Sequence, residues 1–442
     1  LWRLGAFLTY TSRPRDGLPL LQRASVLAEA EYGADHPRTV QTKLMRSDAE
    51  VNLPDAAAAE RTLAEILPAA RRVYGRAHPA LADVINRLGA AISTQGRYEE
   101  AEPLLREAVA MRIETLGADH PDVQLARVSL GRQLQGRGQL AAAESLLVAA
   151  WDARRRALGP SSPATASSLG DLGMLAIVRG DWAEAESRFR ASIAVWREAR
   201  IEDQALYYEA QLGVALTQLE RFVDADTLLR RVTDARVAMY NAQHWTVGDA
   251  QEKRSLVRLR LDDLRGADSL AMSGMQIRRA VYGPRSSAVA NQLPAIAALR
   301  EAQGDSTAAI ALLRETLDLL AELRRPPTDP SVMGAERALA LALCSTGQTR
   351  DGETLARSVV SRLGPTIGTV AQLRAHATLG FCLHRLGRHA EAEAPLLQAA
   401  RGFEAGASSS TGLRRQDVAR WLVEVYTALD RPSDAARWRT RS

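Results

Sequence analysis

Lysine is nearly absent from this chain of 442 residues: Lys43 and Lys253 are its only two, and arginine supplies the rest of the positive charge. Aromatic residues are also scarce, at 5% against 46% hydrophobic residues in all. An interior with so few rings is filled by Leu and Ala, which favour helices. Cysteine occurs only as Cys344 and Cys382, 38 residues apart. Two cysteines in so long a chain exclude the dense disulfide framework of small secreted domains, and they read as buried thiols. No apolar run approaches the ~18 residues that would span a bilayer, so no membrane contact is expected from this segment. The first residue is Leu rather than Met, and the chain reads as a segment of a longer protein whose missing signal peptide says little. The default compartment is the cytoplasm; an upstream membrane segment would make it extracytoplasmic.

Chemistry-bearing motifs are missing as well. There is no Gly-rich phosphate loop with Lys, no HExxH and no GxSxG. His36, His78 and His120 recur at one spacing, which in stacked helices puts them about 10 Å or more apart, too far to share a metal. They read as loop or capping residues. His376, His384 and His389 lie close in sequence but lack a metal-ligand spacing. The formal charge is +5, with arginines interspersed among Glu and Asp, whereas a nucleic-acid footprint needs a clustered patch. No enzyme activity, cofactor, metal or nucleic-acid partner is therefore expected of this segment.

What the chain has is a period. The stretch from His78 to Pro121 begins and ends with His-Pro, 42 residues apart, and His36-Pro37 stands one step earlier. Fixed periods of this size belong to stacked-repeat proteins. Within the unit, Ile85, Leu88, Gly89 and Ile92 mark one face of a helix A, and Ala101, Leu105 and Ala108 that of a helix B. Pro79 starts helix A and Gly96 ends it. The turn position recurs as Ser12, Pro54, Gly96, Gly138, Gly180, Glu220, Asp262, Gly304, Gly347, Gly387 and Asp430, at steps between 40 and 43. Small residues 12 apart, such as Gly89 and Ala101, mark where the two helices approach. The register predicts roughly ten antiparallel helix pairs and a short eleventh, in one solenoid over residues 1–442, beginning three residues into a cut helix at Leu1.

Two units depart from the pattern. Arg46-Ser47 and Arg254-Ser255 stand where Leu-Gly should be, and an unpaired buried arginine is costly. The unit near 244–283 is therefore expected to rotate or pack loosely. A Pro-rich loop at 324–330 separates two later units. Pro68 lies deep enough in its helix to kink it, and Trp421, Tyr426 and Trp438 are placed to cover the end of the stack.

The pattern Leu88-Gly89, Gly96-Arg97-Tyr98, Ala101, Leu105, Ala108 resembles the tetratricopeptide repeat. Its 42-residue form, with GRYEEAEPLLREA and LGADHP, looks like the kinesin light chain type. That resemblance implies an all-α, right-handed α-solenoid whose A helices line a concave groove for a protein or peptide ligand. Carried over by position, the groove includes Asn86, Ser93, Arg132, Gln135 and Thr217, with Asp171 and Gln211 at its edge. Arg132 would clamp a carboxylate. The kinesin-type asparagine pair survives only as Asn86. The implied function is a non-catalytic interaction module. Arrays of this type also follow serine/threonine kinase domains in bacterial proteins, which implies as an alternative the sensing or docking region of a longer signalling enzyme.

Overall fold

The computed structural model describes residues 1–10, 14–53, 56–364, 369–404 and 415–439. It is 84% helix, with no strand among the described residues. The helices pair in chain order. The first pairs are α1 (Trp2–Tyr10) with α2 (Pro14–Tyr32), α3 (Pro37–Asn52) with α4 (Ala56–Tyr74), α5 (Pro79–Thr94) with α6 (Tyr98–Leu116), and α7 (Pro121–Gly136) with α8 (Leu140–Leu158). Next come α9 (Pro163–Arg179) with α10 (Trp182–Glu198), α11 (Glu202–Gln218) with α12 (Phe222–Met239), and α13 (Trp245–Arg260) with α14 (Leu264–Tyr282). The last are α15 (Ser287–Ala302) with α16 (Ser306–Glu322), α17 (Pro330–Ser345) with α18 (Thr349–Leu363), α19 (Val370–Arg385) with α20 (His389–Glu404), and α21 (Arg415–Ala428) with α22 (Pro432–Arg439). This is an all-α fold of the solenoid class. The chain forms two compact units, Leu1–Leu172 with Arg279–Ala288, and Gly173–Arg278 with Val289–Ser442.

The turn register is a register of backbone conformation. Gly96, Gly138, Gly180, Gly304, Gly347 and Gly387 all have positive φ, between 77° and 93°. Where glycine is replaced, Glu220, Asp262 and Asp430 hold the same left-handed region at φ 59°, 60° and 55°. Ser12 and Pro54 lie outside the described residues. Helix starts follow a second rule. His36, His78 and His120 are N-caps whose Nδ1 accepts the backbone N–H two residues on, at 3.0–3.2 Å, with proline in the first turn. His244 caps α13 in the same way. Rings four residues earlier brace three of these caps: Tyr32, Tyr74 and Tyr240 stack on His36, His78 and His244 at 4.9, 4.8 and 3.9 Å.

Within a pair, the glycine of helix A makes room for a side chain of helix B. A Cβ on Gly89 would lie 2.8 Å from Leu105 Cγ, and one on Gly173 would lie 2.6 Å from the ring of Phe189. The small residue therefore serves the anchor 16 positions on, as well as the backbone at Ala101. Pro68 sits inside α4, which continues to Tyr74, and Pro294 sits inside α15. In the loop at 324–330, Arg325 N–H donates to the Leu320 carbonyl at 3.0 Å, and Asp329 caps α17 by accepting from Ser331 N–H at 2.7 Å. Trp421, Tyr426 and Trp438 are buried in one core cluster with Leu396 and Leu422.

Two expectations are corrected. The cysteines are not separate thiols: Cys344 on α17 and Cys382 on α19 are joined in a disulfide, with Cα atoms 5.4 Å apart. Helices A of successive pairs lie side by side, so a separation near one period brings the two residues to one contact. The cost expected of an unpaired arginine in the unit near 244–283 also does not arise. Arg254 Nε donates to Asp226 Oδ1 at 2.8 Å, and Arg258 closes on the same carboxylate at 2.7–2.8 Å.

Candidate interaction surface

Within the first compact unit, polar bridges join neighbouring A helices along one face. Arg87 on α5 pairs with Asp48 on α3. Asn86 donates from Nδ2 to Ser129 Oγ on α7 at 3.4 Å. Arg132 on α7 reaches Asp171 on α9, Nη2 to Oδ1 at 2.6 Å and Nε at 3.1 Å. The spacing follows from the repeat, because each bridge uses positions within two residues of the Leu-Gly pair or its equivalent. Each links a half-exposed or buried polar atom to the next helix and so fixes its direction.

The sequence-derived groove residues divide by exposure. The Arg132 side chain is 64% exposed, while its partner Asp171 is 5% exposed with Oδ2 buried and unpartnered. Asn86 is buried, and its Oδ1 lacks a donor. Ser93, Gln135 and Gln211 are half-buried. Thr217 is buried and donates its hydroxyl hydrogen to the Gly213 carbonyl at 2.7 Å, so it presents no free donor to a ligand. The structure brings Arg132 and Asp171 together as a pair. A ligand carboxylate at Arg132 would compete with the one already there.

Sequence reasoning missed a set of buried and half-buried arginines late in helix B. Arg112, 2% exposed, pairs with Asp83 on its own helix A and donates to the Asp122 carbonyl at the start of the next. Arg154 donates to Ser168 Oγ at 2.8 Å and to the Ala164 carbonyl at 3.3 Å. Arg236 donates to the Thr246 carbonyl at 2.6 Å and sits 3.4 Å from Asp249. Arg278 pairs with Glu252. A guanidinium suits this work, since its fixed fork of donors satisfies several acceptors at once. The signal was in the period: 112 and 154, and again 236 and 278, are 42 apart.

On the second unit, a cleft of about 630 Å³ opens against α10, α11 and α12. Ile193, Leu212 and Leu216 line it, and Arg197 and Arg231 at its wall both pair with Glu209, which is 2% exposed. His384 Nδ1 meets His389 Nδ1 at 3.2 Å, and its Nε2 lies 3.0 Å from Glu424. Burial pushes the His384 pKa below its ordinary value, against the pull of Glu424. Among the described residues, no three metal-capable side chains converge, and no helix is long and apolar enough to cross a membrane.

Residues 81–122 and 122–198 match two family models, each of the tetratricopeptide repeat. Among solved structures, a kinesin light chain-type protein of nearly identical TPR-like repeats from Podosopora anserina is 20% identical, over 46% of this chain and 97% of its own, with a TM-score of 0.39. BtubC (BKLC) from P. vanneervenii is 19% identical over 52% of this chain and 92% of its own, with a TM-score of 0.40. A Rap protein complexed with competence and sporulation factor is 12% identical over 82% of this chain and 99% of its own, with a TM-score of 0.51. No curated protein matches the chain. Residues 81–198 thus carry tetratricopeptide repeats.

Proposed function

We propose that this chain is a non-catalytic interaction module that binds a protein or peptide segment along its A-helix face. The observation that carries the reading is the ladder of bridges Arg87–Asp48, Asn86–Ser129 and Arg132–Asp171. Such a ladder holds polar side chains at regular intervals before any partner arrives, and a preformed surface binds with little ordering cost. The tetratricopeptide repeats over residues 81–198 support the same class, as does the helical fold shared with a Rap protein solved with a bound factor.

The test starts from a partner identified by cross-linking and then purified. Ser93→Ala, Arg132→Ala and Gln135→Ala together should weaken its binding by about 1.5–3 kcal/mol, the scale of charged hydrogen bonds. Arg106→Ala on helix B, whose guanidinium bonds Glu102 in its own helix, should leave binding unchanged. The reverse result would move the binding surface to the B helices.

A further inference from the structure

The turn between α19 and α20 brings two histidines face to face. His384 stands in the last turn of α19 and His389 opens α20, while Gly387 between them takes φ 77° and reverses the chain. Across this turn the two Nδ1 atoms lie 3.2 Å apart. On the other side of its ring, His384 Nε2 lies 3.0 Å from a carboxylate oxygen of Glu424 on α21. An ionised carboxylate only accepts hydrogen bonds, so it selects the tautomer of His384 with its proton on Nε2. His384 Nδ1 then presents a lone pair to His389. A hydrogen bond from His389 Nδ1–H fits that gap in the chain alone. A neutral imidazole can equally carry its proton on Nε2, and two lone pairs then converge on one point.

The separation matches two ligands on one metal ion. Imidazole nitrogens bind zinc at about 2.0–2.1 Å, which at tetrahedral angles sets two of them about 3.3–3.4 Å apart. A ligating histidine whose other ring nitrogen donates to a carboxylate has its orientation fixed and its basicity raised. The two observations are independent, since the reversal at Gly387 sets the first and the packing of α21 the second. The charge of Arg385 acts against a cation at His384 and that of Glu424 acts for it, while Arg388 is taken up by Glu391 and Glu353. An interval of five residues hides the pair in the sequence, because it is not a helical repeat.

We propose that His384 and His389 chelate a divalent transition-metal ion of the Zn²⁺ class through their Nδ1 atoms, with Glu424 orienting His384 and water in the remaining positions. Imidazole suits such ions. Both rings are half-buried, which leaves the pair within reach of solvent. An ion bound there clips the α19–α20 turn and, through Glu424, ties it to α21. The inference does not depend on what the A-helix face binds.

The probe is zinc chloride, titrated calorimetrically at neutral pH into the untagged full chain after chelator treatment. A single ion should bind. Glu424→Ala should weaken binding about 10–100-fold, the cost of losing an orienting partner, and His384→Asn and His389→Asn should each weaken it by more than about a hundredfold. His120→Asn should change nothing, since that ring caps α7 and Asn can cap in its place. The unaltered chain supplies a second reading that needs no variant. Zinc should slow hydrogen exchange at the α19–α20 turn, and Mg²⁺, which prefers oxygen ligands, should not. Absence of zinc binding overturns the proposal, as does unchanged affinity in the His384→Asn/His389→Asn double variant. Slowed exchange confined to other turns also overturns it, and the two histidines are then a hydrogen-bonded pair only.

Discussion

The pair α5–α6 and the pair α13–α14 have the same dimensions and different means of cohesion. Each has a 16-residue helix A and a 19-residue helix B. Their turn residues, Gly96 and Asp262, share the left-handed conformation, and their A helices are capped by His78 and His244. Inside, α5 buries Leu81, Val84, Ile85, Leu88 and Ile92, whereas α13 buries only Val247 and Val257 among branched apolar residues. Ion pairs take the place of the missing apolar bulk. Arg254 and Arg258 clasp Asp226, Arg278 holds Glu252, and Arg236 and Lys253 flank Asp249. Backbone register is therefore set by turns and caps, and the interior can be apolar or ionic within it. The two solutions should respond differently to truncation, to added bulk and to acid.

Truncation should give the largest effects. Asp226→Ala strands Arg254, while Arg258 keeps Asp263 at 3.0 Å, and should cost about 3–5 kcal/mol, the range for breaking a buried pair from one side. Leu105→Ala, in the third pair, should cost about 2–5 kcal/mol through its cavity. Stacked repeats open locally, so the reading should come from hydrogen exchange in each helix. Loss confined to α12 and α13 for Asp226→Ala, and to α5 and α6 for Leu105→Ala, supports two separate kinds of cohesion. Asp226→Ala with unchanged exchange would show the ionic cluster to be decoration.

Added bulk comes next. Gly89→Ala drives a methyl against Leu105, whose Cγ lies 2.8 Å from where the Cβ would be. Overpacking of this kind costs about 1–3 kcal/mol. At the equivalent place in the seventh pair, Ser255 already carries a side chain and donates to the Glu252 carbonyl at 2.7 Å. Ser255→Ala should therefore cost about 1 kcal/mol or less, the value of one hydrogen bond. Comparable losses at both sites, measured by urea titration, would remove the distinction.

How much of this was legible in the sequence follows from what periodicity encodes. Turn positions and helix starts are local, so Gly96, Asp262 and the histidine caps could be placed from spacing alone. The third pair could be read because its anchors are apolar and recur at helical intervals. The seventh could not: Arg254 at a core position looks like a defect until Asp226, 28 residues earlier, is seen to face it. Arginines can recur at the period, as 112 and 154 do, but their acceptors change from Asp83 to Ser168 and leave none. The same holds for Arg132, which the repeat register places in the groove while its occupation by Asp171 becomes clear only in three dimensions. The disulfide was hidden for a related reason, since side-by-side packing of α17 and α19 is a property of the stack.

Acid should separate the two pairs by the smallest margin and the clearest signature. His244 is buried, with its ring 3.9 Å from Tyr240 and its Nδ1 2.8 Å from Thr246 Oγ1. Burial pushes its pKa below the ordinary 6.5, assisted by the charge of Arg236 and opposed by that of Asp203. With the folded value below the unfolded one, the unfolded chain binds more protons in the interval between them, and stability rises with pH there. The contribution is complete above pH 6.5, declines as pH falls below it, and becomes constant once pH passes the folded value. Asp226 and Asp249 act in a lower window. Hydrogen bonds from Arg254 and Arg258 hold Asp226 below its ordinary 3.8 against the cost of burial, and Lys253 and Arg236 do the same for Asp249. Their contribution is present above 3.8 and is lost as pH falls through the folded values. Exchange protection in α13, measured from pH 7.5 down to 5, should therefore drop in a step attributable to His244 alone. His244→Asn keeps a capping side chain and removes the titration. It should flatten that step while leaving α5, capped by His78, as it was. A step that persists in His244→Asn would place the acid sensitivity elsewhere and leave the seventh pair no more pH-responsive than the third.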